Sequence, residues 1–206
     1  MTNTPHQQQI TRAIEFLCKK DKKLAAVIKR VGPLNYRSQR TGFAALVKII
    51  VGQQLSGTVA EAIYKKLGRV AGGSRVSITA IRKLDDAALR SAGLSNAKVR
   101  AVRDLIDKID SGQLTIRNFN RMTDDEIAAS ITQVKGLGPW SAQMYLMFVL
   151  QRLDIFAPGD LGIQKALTNL YGLDRKKADF ESIGDRWKPY RTIACWYLWA
   201  SLDNKG

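Results

Sequence analysis

Few side chains in this sequence can carry chemistry. Its 206 residues hold one histidine, His6, and two cysteines, Cys18 and Cys195. His-ligated metal sites, Ser-His-Asp triads and Cys-His pairs are thereby set aside, which leaves carboxylates, lysines, hydroxyls and the backbone. Two stretches concentrate such groups. Asp160 follows Pro158-Gly159 and precedes Leu161-Gly162-Ile163, a pattern in which the carboxylate caps a helix start and sits where the helix field favours negative charge. Val134-Lys135-Gly136-Leu137-Gly138-Pro139-Trp140-Ser141-Ala142 puts two glycines between two helical stretches. There they allow positive φ and close approach of a ligand to the backbone, and the N–H groups just after them are offered to a phosphate oxygen. A plain cap and a plain turn between helices fit the same letters, so context must separate the readings.

Charge supplies part of that context. Lys and Arg number 33 against 18 Asp and Glu, a balance of +15 that draws polyanions, nucleic acid first among them. A ribosomal or other RNA-binding protein would show the same excess. Cys18 and Cys195 lie far apart in apolar helical patterns and read as reduced thiols packed as small hydrophobes. No apolar run approaches the roughly 20 residues of a membrane span, and Met1 to Glu15 is too polar for a secretory signal. An intracellular protein is expected.

The elements that must position these groups are helical from about Ile10 onward, with no period-two run long enough for a sheet. Phe43, Leu46, Val47, Ile50 and Val51 form one stripe; beyond Gly52-Gln53-Gln54-Leu55 a second runs through Val59, Ala60, Ile63 and Leu67. Asp85 caps a short helix that Gly93 ends, and Ser95 caps the next, with Val99, Val102, Ile106 and Ile109 inward and Lys98, Arg100, Arg103 and Lys108 as its basic positions. Thr123-Asp124-Asp125-Glu126 is a capping box. Pro139 opens a helix that is apolar nearly all round and hence buried. Leu161 to Tyr171 forms another, and Trp187-Lys188-Pro189-Tyr190 leads into a last one ending near Trp199. The polar start around His6 should fray, and Ala71 to Ser77 should be a surface loop.

These segments together resemble the helix-hairpin-helix DNA glycosylase superfamily, in particular its 3-methyladenine DNA glycosylase II branch. The likeness covers nearly the whole chain. It rests on Phe43 through Ile63 with Gly52-Gln53-Gln54-Leu55-Ser56, on Gly93-Leu94-Ser95 with Lys98, on the hairpin, on Asp160, and on Trp187-Lys188-Pro189-Tyr190-Arg191 with Trp199. It implies an all-α, bilobed unit over residues 1–206, with the helix-hairpin-helix at about 123–150. A DNA-facing cleft is expected between the lobes, with the hairpin on one side and the Gln54 turn on another. Asp160 matches the catalytic aspartate, twenty residues after the hairpin tryptophan. Trp140, Trp199, Met144 and Leu161 match the base pocket; Trp187 and Trp196 fit a packing role better. Gln54 and Leu55 match the segment that fills the gap left by an extruded nucleotide, and Gly136, Gly138, Lys135 and Ser141 match the DNA-contacting hairpin.

The same resemblance limits the chemistry. Bifunctional relatives carry a Schiff-base lysine two residues after the second hairpin glycine, where this chain has Trp140, and Lys135 stands before the glycines where proline is usual. Two cysteines cannot hold the four-cysteine iron–sulfur cluster of some relatives. A monovalent cation, Na+ or K+, on the main-chain carbonyls of Thr132, Val134 and Leu137 is the one ion implied. The expectation is therefore a monomeric, monofunctional glycosylase acting on alkylated purines in double-stranded DNA. The competing readings are a bifunctional glycosylase/lyase for oxidised bases and a DNA-binding hairpin without catalysis. Because the excess of 15 positive charges and the hairpin N–H groups both address phosphate, affinity for undamaged duplex should fall by orders of magnitude between about 50 and 200 mM salt, as several phosphate contacts require. An affinity nearly constant over that range, measured by fluorescence anisotropy, would contradict the electrostatic reading.

Overall fold

The computed structural model describes residues 5–34, 42–73 and 76–203. In chain order its helices are α1 (Pro5–Lys20), α2 (Lys22–Val31), α3 (Gly42–Gly52), α4 (Gly57–Val70), α5 (Ile78–Arg82), α6 (Asp86–Ser91), α7 (Asn96–Asp110), a 3-10 turn η1 (Ile116–Arg121), α8 (Asp124–Thr132), α9 (Pro139–Phe148), α10 (Leu161–Tyr171), α11 (Phe180–Asp185) and α12 (Arg191–Asp203). No strand occurs among the described residues, so the all-α expectation holds. Nor is any described helix long and apolar enough to cross a membrane. The helix starts follow from short polar side chains. Asp21, Ser56, Ser77, Asp85, Ser95, Thr123, Asp160 and Asp179 each accept a backbone N–H three residues on, satisfying a donor the helix leaves open.

The chain divides into two compact units, one from Met1–Arg37 with Gln151–Gly206, the other from Ser38–Leu150. In the first, α12 packs on α10, α2 and α1. Its core includes Leu17, Leu24, Ile163, Leu167, Trp187, Ile193, Trp196 and Leu198, and the two tryptophans are at most 2% exposed, which gives them the packing role read from sequence. In the second unit α3 packs on α4, α7, α9 and η1, with Leu46, Val47, Ile50 and Val51 wholly buried. Phe119 of η1 meets Tyr145 of α9 edge to face, centroids 5.4 Å apart.

Three local expectations are corrected. Helix α1 begins at Pro5, so His6 lies in a helical turn and not in a frayed start. In α4 the inward stripe is Ala60, Tyr64, Leu67 and Gly68, while Val59 is 46% exposed; the Tyr64 hydroxyl donates to the Ala44 carbonyl, which fixes the rotation of the helix about its axis. In the expected surface loop Val76 is buried, and Ser74 and Arg75 fall outside the described residues.

One carboxylate ties the first unit together. Asp21, between α1 and α2, accepts from the Tyr171 hydroxyl, from Trp187 Nε1 at 3.0 Å and from the Leu24 N–H at 3.0 Å. Burial alone would raise its pKa, but these donors and the nearby Arg186 outweigh burial and hold it below the ordinary value. Its contribution is therefore complete above the unfolded carboxylate pKa of about 3.9 and is lost as pH falls through the lower folded value. Asp21→Ala should cost on the order of 3 kcal/mol near neutrality, since it leaves buried donors unpaired. In urea melts the gap from wild type should narrow toward about pH 3. A gap independent of pH would mean that the carboxylate is not ionised in the fold.

Candidate active site

The segment that delivers Asp160 is tied to the start of α12. Arg191 Nε and Nη2 donate to the two Asp154 carboxylate oxygens at 2.9 and 3.1 Å, and Nη2 also reaches the Asp154 carbonyl at 2.9 Å. The buried Thr192 hydroxyl donates to the Arg152 carbonyl at 2.7 Å and accepts the Ile155 N–H at 2.9 Å. Further along, Gln164 Nε2 donates to the Pro158 carbonyl at 2.8 Å and the Asp160 N–H to the Ala157 carbonyl at 3.0 Å. Asp160 is thus held from both sides before its carboxylate is considered.

That carboxylate caps α10: Oδ1 accepts the Ile163 N–H at 2.9 Å. The same oxygen accepts the indole N–H of Trp199 at 2.9 Å. Trp199, read from sequence as a pocket wall, is half-buried and holds the aspartate directly. Gly162 makes the contact possible. A Cβ there would stand 3.0 Å from Asp160 Oδ1 and 3.0 Å from Trp199 Cδ1 and Nε1, an approach tight enough that the indole or the carboxylate would have to give way. Leu161, beside the carboxylate, is 65% exposed. One turn before Trp199, burial and, less strongly, the Asp160 charge push the Cys195 thiol up to about 12, so it packs as an unreactive apolar group.

The second unit carries the hairpin. Gly136 takes φ +80°, and its missing Cβ would stand 3.3 Å from Ala101 Cβ of α7; glycine there is dictated from within. Gly138 differs from the expectation, with an extended backbone at φ −105° and nothing within 4 Å of its Cβ position. Neither conformation nor neighbours require glycine at 138, and the open space permits a ligand to approach the backbone. The Lys135 N–H donates to Asp104 Oδ2 at 2.8 Å, while its ammonium stays 82% exposed, 3.7 Å from Asp104 Oδ1. Ser141 is 1% exposed, its hydroxyl accepts from Gln53 Nε2 at 3.2 Å and its N–H donates to the Gly138 carbonyl at 2.9 Å. In this geometry Ser141 braces the hairpin from inside and does not present a polar group outward.

The side chains of Val134 and Leu137 are buried, which fixes the intervening backbone, and the Leu137 N–H donates to the Val134 carbonyl at 3.0 Å. The Thr132 hydroxyl turns back onto the Ala128 and Ala129 carbonyls. Thr132 ends α8, so its carbonyl lies at the negative end of the helix dipole, whereas the Val134 carbonyl is already engaged by the Leu137 N–H.

The Gln54 turn belongs to the same unit and is bonded to the hairpin, so the two do not lie on separate sides as expected. Gln53 Nε2 donates to the Gly136 carbonyl at 2.7 Å. Lys98 Nζ reaches the Val51 and Gln53 carbonyls at 2.8 and 3.0 Å, and burial lowers its pKa. Gln54 is exposed at φ +58°, a left-handed conformation that costs a residue with a Cβ about 1 kcal/mol. Leu55 is 38% exposed. Trp140 is half-buried in the first turn of α9, and Met144, on the same helix face, is 7% exposed. The structure therefore gathers Asp160, Leu161 and Trp199 in one unit and Trp140, Met144, the hairpin and the Gln54 turn in the other.

Residues 47–191 match the family described as HhH-GPD superfamily base excision DNA repair protein. The chain belongs to this family. It is 31% identical to the DNA-3-methyladenine glycosidase of Bacillus halodurans, with a TM-score of 0.75 over 98% of this chain and 91% of that one. The Schizosaccharomyces pombe 3-methyladenine DNA glycosylase in complex with abasic DNA is 25% identical, with a TM-score of 0.84 over 91% of this chain and 95% of that one. An alkylbase DNA glycosidase-like protein of the same yeast is 28% identical over 95% of this chain and 96% of its own length.

Sequence reasoning missed the roles of Gln53, Asp104 and Gly162, and read Lys98 as a basic helix position within a family motif without assigning it a contact. Gln53 and Lys98 stood inside the motifs that carried the resemblance; Asp104 had no signal beyond its place on a helix. The geometry around Gly162 yields a test. Gly162→Ala should displace the Trp199 indole, moving its 1H–15N cross-peak while those of Trp140, Trp187 and Trp196 stay in place, at an overpacking cost of about 1–3 kcal/mol. An unmoved Trp199 peak would show that the indole–carboxylate bond is not what glycine protects.

Proposed function

We propose that the protein is a monofunctional DNA glycosylase that hydrolyses the N-glycosidic bond of alkylated purines, of the 3-methyladenine and 7-methylguanine type, in duplex DNA. The observation that carries this reading is the Asp160 carboxylate, held on one oxygen by a helix N–H and an indole N–H, in a chain of the HhH-GPD family. Its likeness to 3-methyladenine DNA glycosylases and to an alkylbase DNA glycosidase-like protein supports the alkylated-base assignment.

The chemistry follows from charge. As the bond from C1′ to the base nitrogen lengthens, its electron pair leaves with the base and positive charge builds on the deoxyribose, as in glycoside hydrolysis. A base alkylated at N3 or N7 already carries positive charge, so it departs neutral. Asp160 supplies a fixed negative charge for the sugar cation and an oxygen that orients the attacking water and takes its proton. Water adds to C1′, the base is released, and an abasic site remains. The tryptophan rings at 140 and 199 suit a cationic base, since aromatic faces attract cations as well as stacking on them. The hairpin backbone about Gly136 and Gly138, with the exposed Lys135 ammonium, addresses phosphate, and Gln54 with Leu55 fills the vacated place in the duplex. A monovalent cation on the Thr132, Val134 and Leu137 carbonyls would add positive charge near the phosphate. With Trp140 where a Schiff-base lysine would stand, the enzyme forms no covalent adduct with the sugar and acts as an intracellular monomer.

Incubation with duplexes carrying each alkylated purine in turn, followed by chromatography of released bases, tests the assignment directly; no base released from any of them would end it. Asp160→Asn tests the mechanism. Asn is a good N-cap of similar size, so melting temperature and damaged-DNA affinity should hardly change. The single-turnover rate of base release should fall on the order of a hundredfold to a thousandfold. A rate within about threefold of wild type would leave Asp160 as a cap and nothing more.

A further inference from the structure

Gln53 joins the two DNA-directed elements of the second unit. Its side-chain amide bonds to the Gly136 carbonyl at 2.7 Å and to the Ser141 hydroxyl at 3.2 Å, one contact on each side of Leu137-Gly138. Its own carbonyl, together with that of Val51, is taken by Lys98 Nζ, which caps carbonyls that the end of α3 leaves open. The next residue is Gln54 at φ +58°, followed by the exposed Leu55. The strained, exposed tip is thus built on a residue whose other end grips the hairpin. On the opposite flank, Asp104 and Ala101 of α7 fix Lys135 and Gly136, so Gln53 braces the hairpin on the side that faces the Gln54 turn.

We infer that Gln53 is a positioning residue that couples docking of the hairpin on the DNA backbone to insertion of Gln54 and Leu55 into the duplex. The inference rests on the proposed glycosylase function. With the clamp intact, the phosphate that seats on the hairpin sets the depth and register of the inserted tip. With the clamp cut, the hairpin still binds phosphate and Asp160, in the other unit, is untouched, but the tip loses its reference and extrusion of the base becomes costlier. The effect should therefore depend on how tightly the lesion is stacked and paired, which a general loss of structure would not reproduce.

The test compares two substrates carrying the same 7-methylguanine, one fully paired and one in a single-nucleotide bulge, where extrusion costs less. Gln53→Met preserves side-chain length and removes the donor; Gln53→Ala serves as the second variant should Met misfold. The single-turnover rate on the paired substrate should fall about tenfold, the factor that accompanies loss of one ordinary hydrogen bond, while the bulged substrate should lose less than about threefold. Equal losses on both, or none on either, overturn the proposal. Hydrogen exchange of the Leu137 and Ser141 amides, bonded to the Val134 and Gly138 carbonyls, supplies without DNA a readout independent of activity. Exchange should quicken in the variant, and unchanged protection overturns the clamp. If wild type releases no base from any alkylated duplex, the glycosylase reading fails and the exchange result alone decides whether Gln53 holds the hairpin.

Discussion

Two N–H groups from different helices converge on a single oxygen of Asp160, and much of the first unit exists to let them do so. The indole of Trp199 reaches that oxygen past position 162, where a side chain would crowd both groups; α12 is pinned at its start by Arg191 and Thr192, and Trp187 and Trp196 are buried in the core. A carboxylate held this way has little rotational freedom left to lose when a positive charge develops beside it. Preorganisation of that kind is what makes an electrostatic contact effective in a reaction.

The second unit meets a different requirement with similar means. Its hairpin and the turn before α4 are shaped through backbone atoms, whose placement depends on neighbours. Gln53, Lys98 and Asp104 each spend a side chain on a main-chain group of a turn. Polar side chains that elsewhere face solvent are here used as struts, and the groups left facing outward are Lys135, the open side of Gly138 and the Gln54 tip.

The fold class and most helix starts were legible in the sequence because they depend on local chemistry: a short polar cap, a stripe at helical spacing, a proline in a first turn. The capping box at Thr123, the Asp160 cap and the helix from Leu161 to Tyr171 lie where those rules put them. What was not legible depends on partners distant in sequence. Nothing near Gln53 announces Gly136, 83 positions away, and Gly162 reads as an ordinary helical glycine until Trp199 is placed against it. Val59 was misassigned to the interior because one apolar residue too many fits the stripe, and only the Tyr64 hydroxyl reaching Ala44 settles the rotation. The roles of Gly136 and Gly138 differ for the same reason: identical letters, but only one answers to an internal neighbour.

The order in which the chain is made bears on how it must fold. The second unit is a single continuous stretch, whereas the first is assembled from the two ends of the sequence. On a ribosome, the core of Ser38–Leu150 can close as soon as that stretch has emerged, through contacts within it. Helices α1 and α2 cannot. Leu17, Leu24 and the Asp21 carboxylate wait for Tyr171, Trp187 and α12, so apolar surface made first is covered last. The aspartate site is therefore completed only after the unit bearing the hairpin can already have formed, and until then the apolar face of α2 stays uncovered by α10 and α12.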